Sequence, residues 1–239
     1  MGKGRSLPAR SSAGWAAHPA RRTCRDRPLS SDALFDAFVT LWRGTSPVEW
    51  LAAALGIAYV VLLIGQHRAG WIAGGVSTAV YLYVFGVAGL YMQAVLQGYY
   101  VLVSVYGWWA WRGGVAGPTL SVSRAGWRVQ LLGVAAVVLA SVASATWLAR
   151  ETHSSDPYLD SLTTWGSVFA TWLATRKKLD NWTWWFVVDS LIVVLCWKQK
   201  LYAAMIPYVL YLGLVVVGWR SWSVDMKTAG AAAADGAKA

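Results

Sequence analysis

AGWIAGGVSTAVYLYVFGVAGLYMQAVLQGYYVLVSVYGWWAW, residues 69–111, contains no Asp, Glu, Lys or Arg. Its 43 residues are about twice the roughly 20 that cross a bilayer as one helix. Gly86-Val87-Ala88-Gly89 is the only turn signal inside it, so the stretch divides into two spans, 71–85 and 90–111. Upstream, the apolar run 51–64 follows Ser46-Pro47-Val48-Glu49 and is closed by Gln66-His67-Arg68. Ser, Pro and an early acid are the features that start a helix. Downstream, residues 112–126 are Gly-rich with Pro118 and read as a loop. Four further apolar runs then follow at 129–149, 162–175, 182–197 and 201–222. The expectation is an all-α, polytopic membrane protein with seven transmembrane helices.

Composition agrees. Of 239 residues, 57% are hydrophobic and 13% charged, against roughly a quarter charged in a soluble domain. That excludes a water-soluble globule and excludes disorder. The net charge of +10 does not point to nucleic acid, because the bases flank apolar runs as they do around membrane helices. Cys24 and Cys196, with His18, His67 and His153, are too scattered for a disulfide framework or a metal site. No metal and no cofactor is expected.

Residues 1–46 hold eight Lys/Arg and no apolar core, and are expected to be a disordered basic tail. Within it, DALFDAFVTLW (32–42) sets Leu34, Phe35, Phe38 and Leu41 at helical spacing, which suits a short helix on the membrane surface. Residues 223–239 are expected to be a disordered, solvated tail.

Laid over one another, 49–111 and 160–222 align without a gap. Leu and Val matches are cheap between two membrane segments, but the aromatic ones are not. Trp71/Trp182, Tyr91/Tyr202, Tyr100/Tyr211, Gly107/Gly218, Trp108/Trp219 and Trp111/Trp222 all coincide. Three helices reverse the chain across the membrane, so a second copy fused directly would be inverted. One extra span, 129–149, restores the direction. The domains expected are a first three-helix repeat (47–112), a loop and connector helix (113–157) and a second repeat (158–222). This 3+1+3 arrangement of parallel repeats is that of SWEET-type transporters, whose substrate sites lie near mid-membrane between the halves.

Asp189 is the one ionisable residue well inside a span. A carboxylate at mid-bilayer costs at least ~2.5 kcal/mol, so it should face a cavity or a partner. Trp182, Trp185 and Asp189 fall at i, i+3 and i+7 on one helix face. Electron-rich rings beside an anion make a slot for a flat, cationic or polar ring. The plainer account is an aromatic belt at the membrane interface with Asp189 joining helices. Gln93, Gln97 and Tyr100 share a face of the third span, and Tyr208 and Tyr211 sit on the last, where Pro207 should kink the helix. These groups either bind a polar ligand or join helices by hydrogen bonds. Trp71 and Thr78, the repeat counterparts of Trp182 and Asp189, are expected as cavity wall. No G-x-x-x-x-G-K-[ST], H-E-x-x-H or G-x-S-x-G motif is present. An integral-membrane enzyme would need paired titratable groups at depth, where only Asp189 is available.

Asn181-Trp182-Thr183-Trp184-Trp185-Phe186-Val187-Val188-Asp189, with Lys200-Leu201-Tyr202 and Gly218-Trp219-x2-Trp222, resembles the PnuC family of bacterial vitamin transporters. So does Gln97-x2-Tyr100-x5-Tyr106-Gly107-Trp108-x2-Trp111. The similarity covers about 48 to 222. It implies uptake of nicotinamide riboside by facilitated diffusion, trapping by a separate cytoplasmic kinase, a SWEET-like fold and a homotrimer. Relatives carry thiamine, riboflavin or deoxynucleosides. The family's aromatic sixth-helix motif maps onto Trp182, Trp185 and Asp189, where some members have Asn in place of the last. An anion there favours a cationic ring, and both nicotinamide riboside and thiamine have one. Partners are thus a small vitamin and the lipid bilayer. Near the helix ends, about 9 Lys/Arg on the C-terminal side oppose about 5 on the other, which places the C-terminus in the cytoplasm of a bacterial inner membrane.

Overall fold

A computed structural model of the chain describes residues 39, 47–87, 91–112, 120–151, 156–199 and 202–236. The expected basic tail and its surface helix lie outside the described residues, Val39 apart. The described chain is all-helical: α1 (Pro47–Ile64), α2 (Ala69–Val87), α3 (Tyr91–Ala110), α4 (Trp127–Glu151), α5 (Pro157–Thr175), α6 (Asp180–Lys198) and α7 (Tyr202–Gly236). Four of them (α1, α2, α4 and α7) are long and apolar enough to cross a membrane. The other three carry the polar residues Gln97, Asp160 and Asp189, which lower their mean hydropathy. Leu102 and Leu139 are each 71% exposed and Val95 68%. An apolar surface of that kind is what lipid covers and water does not. The protein is a multi-pass membrane protein.

Two helix boundaries depart from the expectation. α5 starts at Pro157, not at 162, because Pro at the first turn and Asp160 beside it favour a helix start although neither is apolar. α7 continues to Gly236, so residues 223–236 extend the last helix and are not a disordered tail. Ala has the highest helix propensity, and the segment 229–235 is mostly Ala. The helix also runs through Pro207 without a break.

α1, α2 and α3 pack in succession, as do α5, α6 and α7. α4 lies against α5, where Phe169 covers Gly133 so closely that a Cβ there would stand 2.1 Å from its Cζ. The two groups of three meet through α1 with α7 and α3 with α5.

Matching positions of the two groups behave alike. Gln66 (φ 52°) and Lys177 (φ 46°) are the non-glycine residues with left-handed backbone among those described. Each ends its helix in a Schellman motif. His67 N–H donates to Leu62 O (2.8 Å) and Gln66 N–H to Leu63 O (3.0 Å). Lys178 N–H donates to Leu173 O and Lys177 N–H to Ala174 O, both at 3.0 Å. Gly usually fills that position. Here the side chains find work instead: Lys177 Nζ donates to Gln66 Oε1 (3.2 Å) and Gln66 Nε2 to Asp225 Oδ2 (2.6 Å).

The core repeats the pattern. Trp71 meets Trp111 edge-on at 5.5 Å and Trp182 meets Trp222 edge-on at 5.3 Å, both at 85°. Trp111 and Trp222 themselves meet at 6.0 Å. Trp71 lies over Gly107 and Trp182 over Gly218, where a Cβ would come within 2.4 and 2.6 Å of the ring. The indoles also reach across between the groups. Trp111 Nε1 donates to Thr175 O (3.1 Å), and Trp222 Nε1 to Leu63 O (3.2 Å) and Ile64 O (3.1 Å). Lys177 Nζ lies 4.7 Å from the Trp111 ring centroid, a cation–π contact. This cluster closes one end of the seam between the groups.

Candidate substrate site

Beyond that cluster lies a cavity of about 520 Å³ between the two groups of helices, within the 300–1,000 Å³ usual for small-molecule sites. Its polar wall comes from five elements. α6 supplies Trp182, Trp185 and Asp189 on one face, as their spacing requires. α5 supplies Asp160, Thr163, Thr164 and Ser167. α7 supplies Tyr208 and Tyr211, whose rings meet edge-on at 6.3 Å. Gln97 and Tyr100 of α3 and Thr78 and Tyr81 of α2 complete it. Gly56 on α1 lets Tyr211 in: its Cβ position lies 3.3 Å from the tyrosine Oη.

Asp189 is 3% exposed. Its electrostatic neighbours are the phenols of Tyr100, Tyr208 and Tyr211. Among the described residues it has no cationic partner and receives no hydrogen bond. The hydroxyls of α5 contrast with it. Thr163 donates to Asp160 O (2.9 Å), Ser167 to Thr163 O (2.7 Å) and Thr171 to Ser167 O (2.8 Å). They are satisfied within the helix and still present oxygen lone pairs to the space they line. Trp182 does more than line the slot. It is 1% exposed, wedged between Gly218 and Trp222, and belongs to the core as well as the wall. Its Nε1 is buried without a partner, as is that of its counterpart Trp71.

A second cavity of about 150 Å³ adjoins the first through Gly56, Tyr59, Ser77, Thr78, Tyr100 and Trp185. Trp71 lines this smaller one and Thr78 lines both, so both are cavity wall. Of the residues singled out in the sequence, Trp182, Trp185, Asp189, Gln97, Tyr100, Tyr208 and Tyr211 converge on the main cavity. Gln93 lies on α3, with its side chain outside the described residues. The α5 wall escapes the sequence reading. Thr163, Ser167, Thr171 and Thr175 recur every fourth residue, a polar stripe in a membrane span that is open to the same periodicity test as the α6 face.

Outside the site, Lys177 lies in the turn between α5 and α6. Burial lowers its pKa, and the Asp225 carboxylate partly offsets this.

Known proteins match the chain across this architecture. It is 30% identical over 207 residues to the riboflavin/roseoflavin transporter RibM of Streptomyces davaonensis, covering 81% of this chain and 91% of that protein. It is 28% identical over 198 residues to the nicotinamide riboside transporter PnuC of Neisseria mucosa, covering 76% and 75%. The crystal structure of the vitamin B3 transporter PnuC superposes with a TM-score of 0.63 at 26% identity, covering 82% of this chain and 89% of that one. Residues 46–224 match the nicotinamide mononucleotide transporter family, and this segment holds α1 to α6, most of α7, both Trp–Gly pairs and the cavity. The chain belongs to that family, the one that includes the PnuC transporters.

Proposed function

We propose that the protein is a passive carrier that takes up nicotinamide riboside, binding its cationic pyridinium ring between Asp189 and the aromatic wall. The observation that carries this reading is the buried Asp189 carboxylate, which has no protein cation to neutralise it among the described residues and sits among tyrosine and tryptophan rings. A bound cation removes the cost of holding that charge in an apolar interior. The rings add cation–π attraction, and Gln97, Thr163 and Ser167 offer partners to the amide and sugar hydroxyls. Similarity to nicotinamide riboside transporters supports the choice of ligand.

The seven helices are read as two parallel three-helix repeats joined by α4, in the SWEET-like 3+1+3 order. Supporting this are the Schellman turns, Trp–Gly pairs and reciprocal indole bonds, each found at matching positions of the two halves. Transport is facilitated diffusion, since among the described residues Asp189 is the one carboxylate deep in the cavity, with Asp160 at its mouth, and this offers little for a proton relay. The site binds and carries without catalysing. The C-terminus lies in the cytoplasm of the bacterial inner membrane, where a separate kinase traps the product. The carrier is read as a homotrimer, as the family resemblance implies.

The test is uptake into proteoliposomes of nicotinamide riboside and of its 1,4-dihydro form, which has the same outline without the ring charge. Asp189→Asn should raise KM for the charged form tenfold or more, about 1.4 kcal/mol, and change the neutral form far less. Equal effects on the two would refute the assignment. The similarity to RibM favours a second reading, a neutral tricyclic ring such as riboflavin. Riboflavin transported in preference to nicotinamide riboside by the wild-type protein would establish it.

A further inference from the structure

Asp189 is not the only carboxylate on the cavity. Asp160, in the first turn of α5, also lines it and is half-buried. One turn earlier, Asp156 is paired with Lys198. The two acids of this helix end therefore differ: the outer one is neutralised, and the one facing the cavity has no cationic partner among the described residues.

The position of Asp160 along the cavity follows from the helix pair. α5 and α6 run antiparallel through a tight turn, and Gly166 packs against Val188. Residue 166 thus lies level with Asp189. Asp160 is six residues further along, about 9 Å at 1.5 Å per residue, level with Leu195 and Cys196, which line the same end. The other end of the seam is filled by Trp182, Trp222 and Trp111. A solute therefore reaches Asp189 from the Asp160 end. With the C-terminus cytoplasmic, that end faces outside.

We propose that Asp160 is an outer cation subsite, a station that draws the positively charged ring into the cavity and passes it to Asp189. The proposal rests on the reading of the cavity as a path for a cationic vitamin. A carboxylate at the mouth of a low-dielectric cleft raises the local concentration of cations. It is partly reached by water, so its pull is screened by salt. The roles differ accordingly. Asp189 holds the ring at depth, whereas Asp160 acts on capture.

The experiment compares wild-type, Asp160→Asn and Asp160→Glu proteins in proteoliposomes. Uptake of nicotinamide riboside and of its uncharged dihydro form is measured at low and at high salt. The expected result is that Asp160→Asn raises KM for the charged form about three- to tenfold at low salt, with kcat little changed. That difference should shrink at high salt, KM for the neutral form should stay within twofold, and Asp160→Glu should restore most of the loss. If the wild type transports both forms but Asp160→Asn changes their KM values equally or not at all, the outer subsite is wrong and the Asp189 reading survives. If the wild type transports neither form, both fall together.

Discussion

Gly218→Ala tests the packing of the Trp core against a control on the same helix. A Cβ at Gly218 would stand 2.6 Å from Cη2 and Cζ2 of Trp182 and 2.7 Å from Cε2. Carbon atoms settle at about 3.5–4.0 Å, so the ring must retreat by about 1 Å. Its other flank is held by Trp222 at 5.3 Å, and Trp182 is 1% exposed. The free direction is into the cavity. Overpacking of this kind costs about 1–3 kcal/mol, against a gain of about 0.5–1 kcal/mol from replacing Gly by Ala within a helix. Gly213, also on α7, has nothing within 4 Å of its Cβ position, so Gly213→Ala keeps the gain alone. The two variants should therefore differ by about 1–3 kcal/mol, or roughly 3–10 °C in midpoint for a chain of this size. Thermal unfolding of the detergent-purified variants at one scan rate reads the difference. Gly218→Ala melting at or above Gly213→Ala would refute the close packing. Nicotinamide riboside uptake should fall in the first variant, because Trp182 moves into the substrate space, and hold in the second.

Trp222→Phe removes the indole N–H from Leu63 O and Ile64 O and should lower stability by about 1–3 kcal/mol. Trp219→Phe, at a ring that is 43% exposed, should stay within about 0.5 kcal/mol of wild type in the same melt. Green fluorescent protein fused after Ala239 should fluoresce in a bacterial host. A dark fusion together with active alkaline phosphatase at the same position would reverse the membrane orientation.

Much of the fold is legible in the sequence because lipid imposes a simple rule: spans are apolar and their ends are not. The aromatic identities between the halves have a packing cause, since Trp71 needs Gly107 and Trp182 needs Gly218. The rule fails where polarity and helix coincide. By charge alone Asp160 reads as the edge of a span, yet Pro157 and Asp160 are helix-starting residues, and the acid lies within α5 on the cavity. The same bias ends α7 at Trp222 instead of Gly236. For the site, the face of α6 can be read by spacing alone. The α5 hydroxyls escape because Ser and Thr bond their own helix and leave little mark in a hydropathy profile. That Gln97 and Tyr100 share a cavity with Asp189 is expected from setting the two halves of the chain against each other, and no local spacing encodes it.

The turns at Gln66 and Lys177 bear on how such a chain arises. They occupy equivalent places, yet their side chains touch each other, Lys177 Nζ donating a hydrogen bond to Gln66 Oε1. Two identical three-helix units related by a dyad would set like against like at this point. Two lysines there would repel, and two glutamines would carry no charge to meet Asp225 or the Trp111 ring. Joining the units in one polypeptide frees each copy to mutate alone, so a self-contact can become a complementary pair. In the cavity too the halves differ, with Thr78 standing where its counterpart is Asp189. On the proposed reading of two fused repeats, a frame of matching halves carries a cavity with a charged side and a neutral side, which would fix which way round a polar solute lies.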